Sequence, residues 1–238
     1  MARKTKAETQ ETYEALLDAA ERVFSEKGVT NTTLNDVASA AGMTRGAIYW
    51  HFKDKYALLY ALCDRTFLPM ETLLNEISQC QQVDPRTALK HSNMQFLHLV
   101  TKDQHQRNVC NIILHRCERT PEIKVFEKER TQKRECLGKI QSIFDRAVAQ
   151  GMLPPDTDTW VAMQANHSFL IGLVHQWIDD PESYNLPRHA ESIMDMFLAG
   201  LFSNPPRKLP DMPSDSSDGQ LPVVADCQST HCESHDNP

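Results

Sequence analysis

Between Thr32 and Lys55 the sequence TTLNDVASAAGMTRGAIYWHFKDK spaces hydroxyl, guanidinium, aromatic, imidazole and ammonium groups in a way that suits contact with a polyanion. An arginine near the amino end of a short helix can pair with guanine O6 and N7, while hydroxyls, rings and lysines hold phosphates. Thr33, Thr44, Arg45, Tyr49, His51 and Lys55 fit those roles at spacings one docked helix can satisfy. Arg3, Lys4 and Lys6 add a basic arm upstream. A plainer reading stands beside this one, in which Tyr49 and Trp50 are partly core and the charges form a solvated face.

Two short helices and a tight turn must carry these groups. Thr32 or Thr33 is placed to cap a helix whose Leu34, Val37, Ala38 and Ala41 fall at i, i+3, i+4 and i+7, one buried stripe. Gly42 supplies the turn, Thr44 caps the next helix and Ile48 anchors it inward, leaving Arg45, Gly46, Tyr49 and Trp50 near or on the outer surface. Upstream, residues 1–8 read as the arm, and a helix is expected from about Thr9 to Lys27, stopped by Gly28. Downstream, Asp54 caps a long helix with Lys55 in its first turn. A lysine there opposes the helix dipole, which leaves two readings, a group placed for phosphate or a solvated surface lysine. Pro69 inside the same pattern predicts a kink or break.

The chain has 238 residues, 40% of them hydrophobic and only 8 of them glycine, and prolines mark the gaps between segments with a 3.6-residue pattern. No stretch combines strict alternation with β-branched enrichment, so the fold class is read as all-α with about nine helices. Further helices are predicted over about 85–102, 104–119, 121–150, 156–179 and 187–202. The predicted domains are a three-helix helix-turn-helix domain over 1–54, a helical ligand-binding and dimerisation domain over 55–203, and a disordered acidic tail over 204–238. No apolar run approaches the roughly 20 residues of a membrane span, and the amino terminus lacks a signal peptide's apolar core. A cytoplasmic protein with no membrane partner is expected, and its seven cysteines read as free thiols. The net charge of -7 does not argue against a DNA partner, because part of the acid lies in the tail while Arg45, Lys53 and Lys55 flank or lie in the opening stretch.

MARKTKAETQETYEALLDAA, then FSEKGVTNTTLNDVASAAGMTRGAIYWHFKDK, resembles the amino-terminal domain of TetR-type repressors, in the AcrR/TtgR/MtrR branch that controls multidrug efflux pumps. The resemblance is close over residues 1 to about 62 and looser at His115-Arg116-Cys117-Glu118 and Gly172 to Trp177. It implies that Arg45 reads a base edge, that Thr33, Thr44, Tyr49, His51 and Lys55 hold phosphates, and that Trp50 packs where the third and fourth helices meet. It also implies that Arg3, Lys4 and Lys6 follow the adjacent backbone of a double-stranded, palindromic operator bound by a homodimer.

Phe67, Met70, Met94, Phe96, Cys110, Leu114, Met163, Phe169 and Trp177 are flexible or polarisable, and suit a promiscuous apolar pocket as well as an ordinary core. The resemblance implies a drug-sized effector held there, whose binding moves the fourth helix. Where some relatives carry polar or acidic ligand-orienting residues, this chain has Phe67, Cys110, Leu114 and Ile171, which points to a more apolar compound. His115 reads as a buried histidine and Glu118 as a helix-end carboxylate. Ala162, Ala165, Gly172, Ile193, Met196, Phe197, Gly200 and Leu201 cluster in the last two helices, as a dimer face or as intramolecular core. No catalytic constellation, phosphate loop or HExxH pair is present, which sets an enzyme aside. A metal- or thiol-responsive regulator is the alternative, through Cys227, His231, Cys232 and His235 or through Cys110, Cys117 or Cys136.

Overall fold

The computed structural model describes residues 5–80, 82–118 and 125–209, the side chains of 125–133 excepted. Among these residues it holds nine helices and no strand, only one isolated bridge. They are α1 (Lys6–Lys27), α2 (Leu34–Ala40), α3 (Arg45–His51), α4 (Lys55–Gln79), α5 (Pro85–Lys102), α6 (Gln104–His115), α7 (Val125–Ala149), α8 (Thr159–Asp179) and α9 (Leu186–Ser203). No helix among the described residues is long and apolar enough to cross a membrane.

The caps explain most boundaries. Thr33, not Thr32, caps α2, in a reciprocal box with Asp36, while Thr44, Asp54, Asp84 and Asp158 cap α3, α4, α5 and α8. Gly28 at φ 76° and Gly42 at φ 66° take the positive φ that favours glycine, the first ending α1 and the second turning the chain into α3. The first helix starts earlier than expected. Thr5 caps it in a box with Glu8, so Lys6 lies in the first turn rather than in an extended arm. Arg3 and Lys4 lie outside the described residues.

Pro69 does not break α4, which runs on to Gln79. The proline removes the N–H that would serve the Arg65 carbonyl. The helix is nevertheless clamped along its length, by Leu58, Leu59 and Leu62 in the first core, by Ile77 in the second, and at its end by Arg146 of α7. That guanidinium donates to the carbonyls of Ser78 and Cys80 at 3.2 and 2.8 Å. The segment assigned to a disordered tail also begins in order. The backbone N–H of Asp158 donates to the Pro206 carbonyl and that of Lys208 to the Asp156 carbonyl, both at 2.8 Å, and Pro205 is buried. The rest of the tail, with Cys227, His231, Cys232 and His235, lies outside the described residues.

Three apolar cores organise the helices. The first joins Leu16, Leu17, Ala20 and Phe24 of α1 to Leu34 and Val37 of α2, Ile48 of α3, the start of α4, and Val109 and Ile112 of α6. It does not stop at residue 54: α4 and α6 complete it. The second gathers Ala88 and Leu89 of α5, Ile143 and Phe144 of α7, Met163 of α8 and Leu198 of α9. The third lies between α5, α6, α8 and α9, around Leu97, Cys110, Val174, Trp177 and Met194.

Candidate nucleic-acid interface and effector cluster

Ile48 is the one buried residue of α3, so this short helix is held to the body by a single apolar anchor and presents the rest of its surface outward. Arg45 and Tyr49, one turn apart, stand together on that surface, with the guanidinium 5.2 Å from the ring centroid. Such stacking keeps a long cation extended while leaving its donors free to face a ligand. Tyr49 is 46% exposed and Trp50 72%. Trp50 is therefore not packed into the junction of the third and fourth helices; its ring stands edge-to-face with that of His51, centroids 4.6 Å apart. The core of the head is already filled by smaller side chains. His51 lies half-buried, 5.7 Å from the ring of Tyr13, which in turn stacks on Phe52 at 5.2 Å. Tyr13 thus fixes the end of α3 on α1, a role its position in a helical pattern does not reveal.

Thr33, Thr44 and Gly46 are exposed at the amino ends of α2 and α3, where backbone N–H groups and the helix dipole favour anions. The Thr33 hydroxyl donates to Asp36 at 2.5 Å, and Lys27 reaches the same carboxylate at 2.8 Å. Hydrogen bonds from Lys27 and then from Thr33 hold the Asp36 carboxyl well below the usual carboxylate range. The loop before α2 is thereby braced. Lys55 donates to the Thr30 carbonyl at 2.5 Å and lies 5.5 Å from the Tyr56 ring, so its ammonium rests on the same loop, half-buried rather than freely solvated. Lys6 is exposed at the start of α1.

The effector candidates divide. Phe67, Met94, Phe96, Cys110, Leu114, Phe169 and Trp177 all meet in the third core, and Phe67 touches the first core as well. Met70 is not part of this cluster, Met163 belongs to the second core, and Ile171 lines an open depression on α8 with His167, Ser168, Gly172 and His175. A helix turns about 100° per residue, so burying Leu170 and Val174 forces Ile171 toward the other side. Phe169 stacks on Phe197 at 4.1 Å, the Arg107 guanidinium lies 4.9 Å over Trp177, and Asn93 donates to Asn166 at 2.7 Å in the buried seam between α5 and α8. Gln106 donates its side-chain N–H to the Thr66 carbonyl, beside the proline of α4. None of these polar links was legible from spacing.

His115 is exposed rather than buried, because α6 ends there; its ring lies 4.5 Å from that of His175. Partial burial and then the neighbouring imidazole depress its pKa. Glu118 is exposed, 3.5 Å from the Thr30 hydroxyl. Burial pushes the Cys110 thiol up to about 12, which leaves it without thiolate character at neutral pH. Burial also raises Cys136. Among the described residues no group of three or more His, Cys, Asp or Glu is placed to hold a metal.

A capped helix pair with an outward cationic and aromatic second helix, set on a larger all-α body, defines a helix-turn-helix transcriptional regulator. The family model for "Bacterial regulatory proteins, tetR family" matches residues 16–62, and that for the "MAATS-type transcriptional repressor, C-terminal region" matches 84–202. The chain belongs to the TetR family. It is 34% identical to the HTH-type transcriptional regulator AcrR of Shigella flexneri, over 83% of this chain and 93% of that one. NalD, the secondary repressor of the MexAB-OprM multidrug efflux pump in Pseudomonas aeruginosa, superposes with a TM-score of 0.73 at 29% identity, covering 82% of this chain and 98% of NalD. SmeT, the repressor of the Stenotrophomonas maltophilia multidrug efflux pump SmeDEF, superposes in its triclosan complex with a TM-score of 0.67 at 32% identity, over 85% of this chain and 100% of SmeT.

Proposed function

We propose that the chain is an efflux-pump repressor that binds a palindromic operator as a homodimer and is released by small apolar or aromatic compounds. The outward Arg45–Tyr49 face of α3 carries the reading, since a stacked arginine at the amino end of an exposed helix is suited to a guanine edge. Arg45 reads a base; Thr33, Thr44, Tyr49, His51 and Lys55 hold phosphates; Gly46 lets the backbone approach; Trp50 lies against the sugar-phosphate chain; and Arg3, Lys4 and Lys6 follow it. Residues 1–54 form the reading head and 55–203 the effector and dimerisation unit.

One head reads too few base pairs to select a promoter, so two heads about 34–36 Å apart, or a multiple, read two half-sites. The outer faces of α8 and α9 are suited to pairing: Gly172 and Gly200 are exposed, and Met196 is 68% exposed. Ala162, by contrast, is buried, and Ile193, Phe197 and Leu201 are partly taken up by the chain's own cores. The effector parts the cluster of Phe67, Met94, Phe96, Cys110, Leu114, Phe169 and Trp177. Because Phe67 belongs to two cores, displacing it reaches the head through α4. The effector must prefer the conformation that DNA does not, and DNA then weakens the effector by the same factor.

Selection of duplexes from a randomised pool, followed by anisotropy titration with and without triclosan, tests this. Enrichment of a palindrome bound by two copies and released by the compound is the expected result. A monomer in light scattering, or enrichment of no palindrome, would overturn the reading.

A further inference from the structure

We propose that Glu21 is a positioning residue for operator binding: its carboxylate, gripped by α4 and α6, fixes the reading head on the effector unit so that the two heads of a dimer match the operator. Glu21 is 4% exposed, in a helix whose neighbouring buried positions, Leu17, Ala20 and Phe24, are apolar. Packing alone does not call for an acid there, and a buried carboxylate without partners is strongly disfavoured.

The partners come from two other helices. Asn108 of α6 donates to one carboxylate oxygen at 2.7 Å, and Nδ1 of His105, also on α6, lies 2.9 Å from the other. Arg65 of α4 approaches that second oxygen at 3.8 Å and pairs with Glu14 and Asp18 of α1 at 3.1 and 2.8 Å. One carboxylate thus ties three helices together. At its other end α6 is tied to the head again, where the Arg116 carbonyl accepts from the Val29 N–H at 2.9 Å. Between these two pins α6 carries Cys110 and Leu114 into the effector cluster. A shift of α6 therefore reaches α1 directly, without passing through α4.

The charged groups acting on His105 are Glu21 from α1, Arg65 from α4 and Asp103 at the start of α6, while Glu14 and Asp18 of α1 pair with Arg65. The hydrogen bond to Glu21, then its charge, raises the His105 pKa. A raised folded-state value means that the pin is at full strength below the ordinary histidine range and is lost as pH rises through the folded-state value. A loosened head must be reordered on DNA, and that ordering cost falls on operator binding, where spacing matters, more than on unrelated DNA.

This inference rests on the operator-binding reading. The test is the ratio of affinities for the palindrome that the wild-type chain enriches and for an unrelated duplex of equal length, at fixed ionic strength from pH 6 to 8.5. His51 and its phosphate contact are common to both duplexes and cancel in the ratio. The wild-type ratio is expected to fall as pH rises. Glu21→Gln and Asn108→Ala are expected to lower the ratio about fivefold or more, and His105→Gln to flatten its pH profile. Ratios equal to wild type in Asn108→Ala, with the pH dependence intact in His105→Gln, would overturn the proposal. His105 is exposed and Asn108 only half-buried, so the test stands even where Glu21→Gln fails to fold. Enrichment of no palindrome would instead refute operator binding itself.

Discussion

Replacing Gly46 with alanine separates folding from DNA binding, because the two should move in opposite directions. A Cβ built at Gly46 meets nothing closer than the Thr44 hydroxyl at 4.0 Å, and the residue is exposed. Nothing within the chain requires glycine there. Alanine is better than glycine by about 1 kcal/mol in a helix interior, and roughly half of that is expected in the first turn. For a chain of this size the gain corresponds to a rise of about 1–2 °C in Tm. On the DNA side the added methyl projects beside Arg45, from a helix whose approach is set by its backbone. Holding α3 away from the groove by even part of a methyl radius weakens the Arg45 contact, which is worth about 1–3 kcal/mol. The expected loss of operator affinity is therefore roughly 5- to 150-fold. Thermal unfolding by circular dichroism gives the first quantity and fluorescence anisotropy the second. An operator complex as tight as wild type, or a lowered Tm, would refute the reasoning.

Arg45→Ala should erase the preference for operator over unrelated DNA, whereas Lys55→Ala should weaken both and reduce the salt slope of the dimer by about two, one contact per subunit, as measured by titration at several salt concentrations. Asp36→Asn should lower Tm at neutral pH. Because the folded-state pKa of Asp36 is depressed, its contribution is present above the ordinary carboxylate range and is lost on acidification, so the two melting curves should converge as pH falls below about 4. Cys110 should resist iodoacetamide at pH 8 in the native chain and react in urea, as read by mass spectrometry; rapid native labelling would restore the thiol-sensor alternative.

The head was legible because its signals are local. A threonine three residues before an acid, a glycine at a turn and an apolar stripe at helical spacing each act within one turn of chain, and α2, α3, α4 and α5 begin where those signals place them. The apolar cluster of the third core was legible in part, since large flexible apolar residues gather wherever helices leave space. Met70 and Ile171 did not join it, because which side of a helix faces inward depends on neighbours distant in sequence. The early start of α1 was missed because the box between Thr5 and Glu8 was hidden in a run that reads first as basic charge.

The residue types and their spacing were enough for the all-α class, the helix-turn-helix and the family, because capping, periodicity and the chemistry of α3 are properties of short segments. Only the tertiary structure placed Trp50 on the surface, carried α4 through Pro69, and completed the first core with α6. Above all it brought Glu21, Arg65, His105 and Asn108 together from three helices. Charges that far apart in the chain carry no periodic signature; only packing the helices brings them within reach.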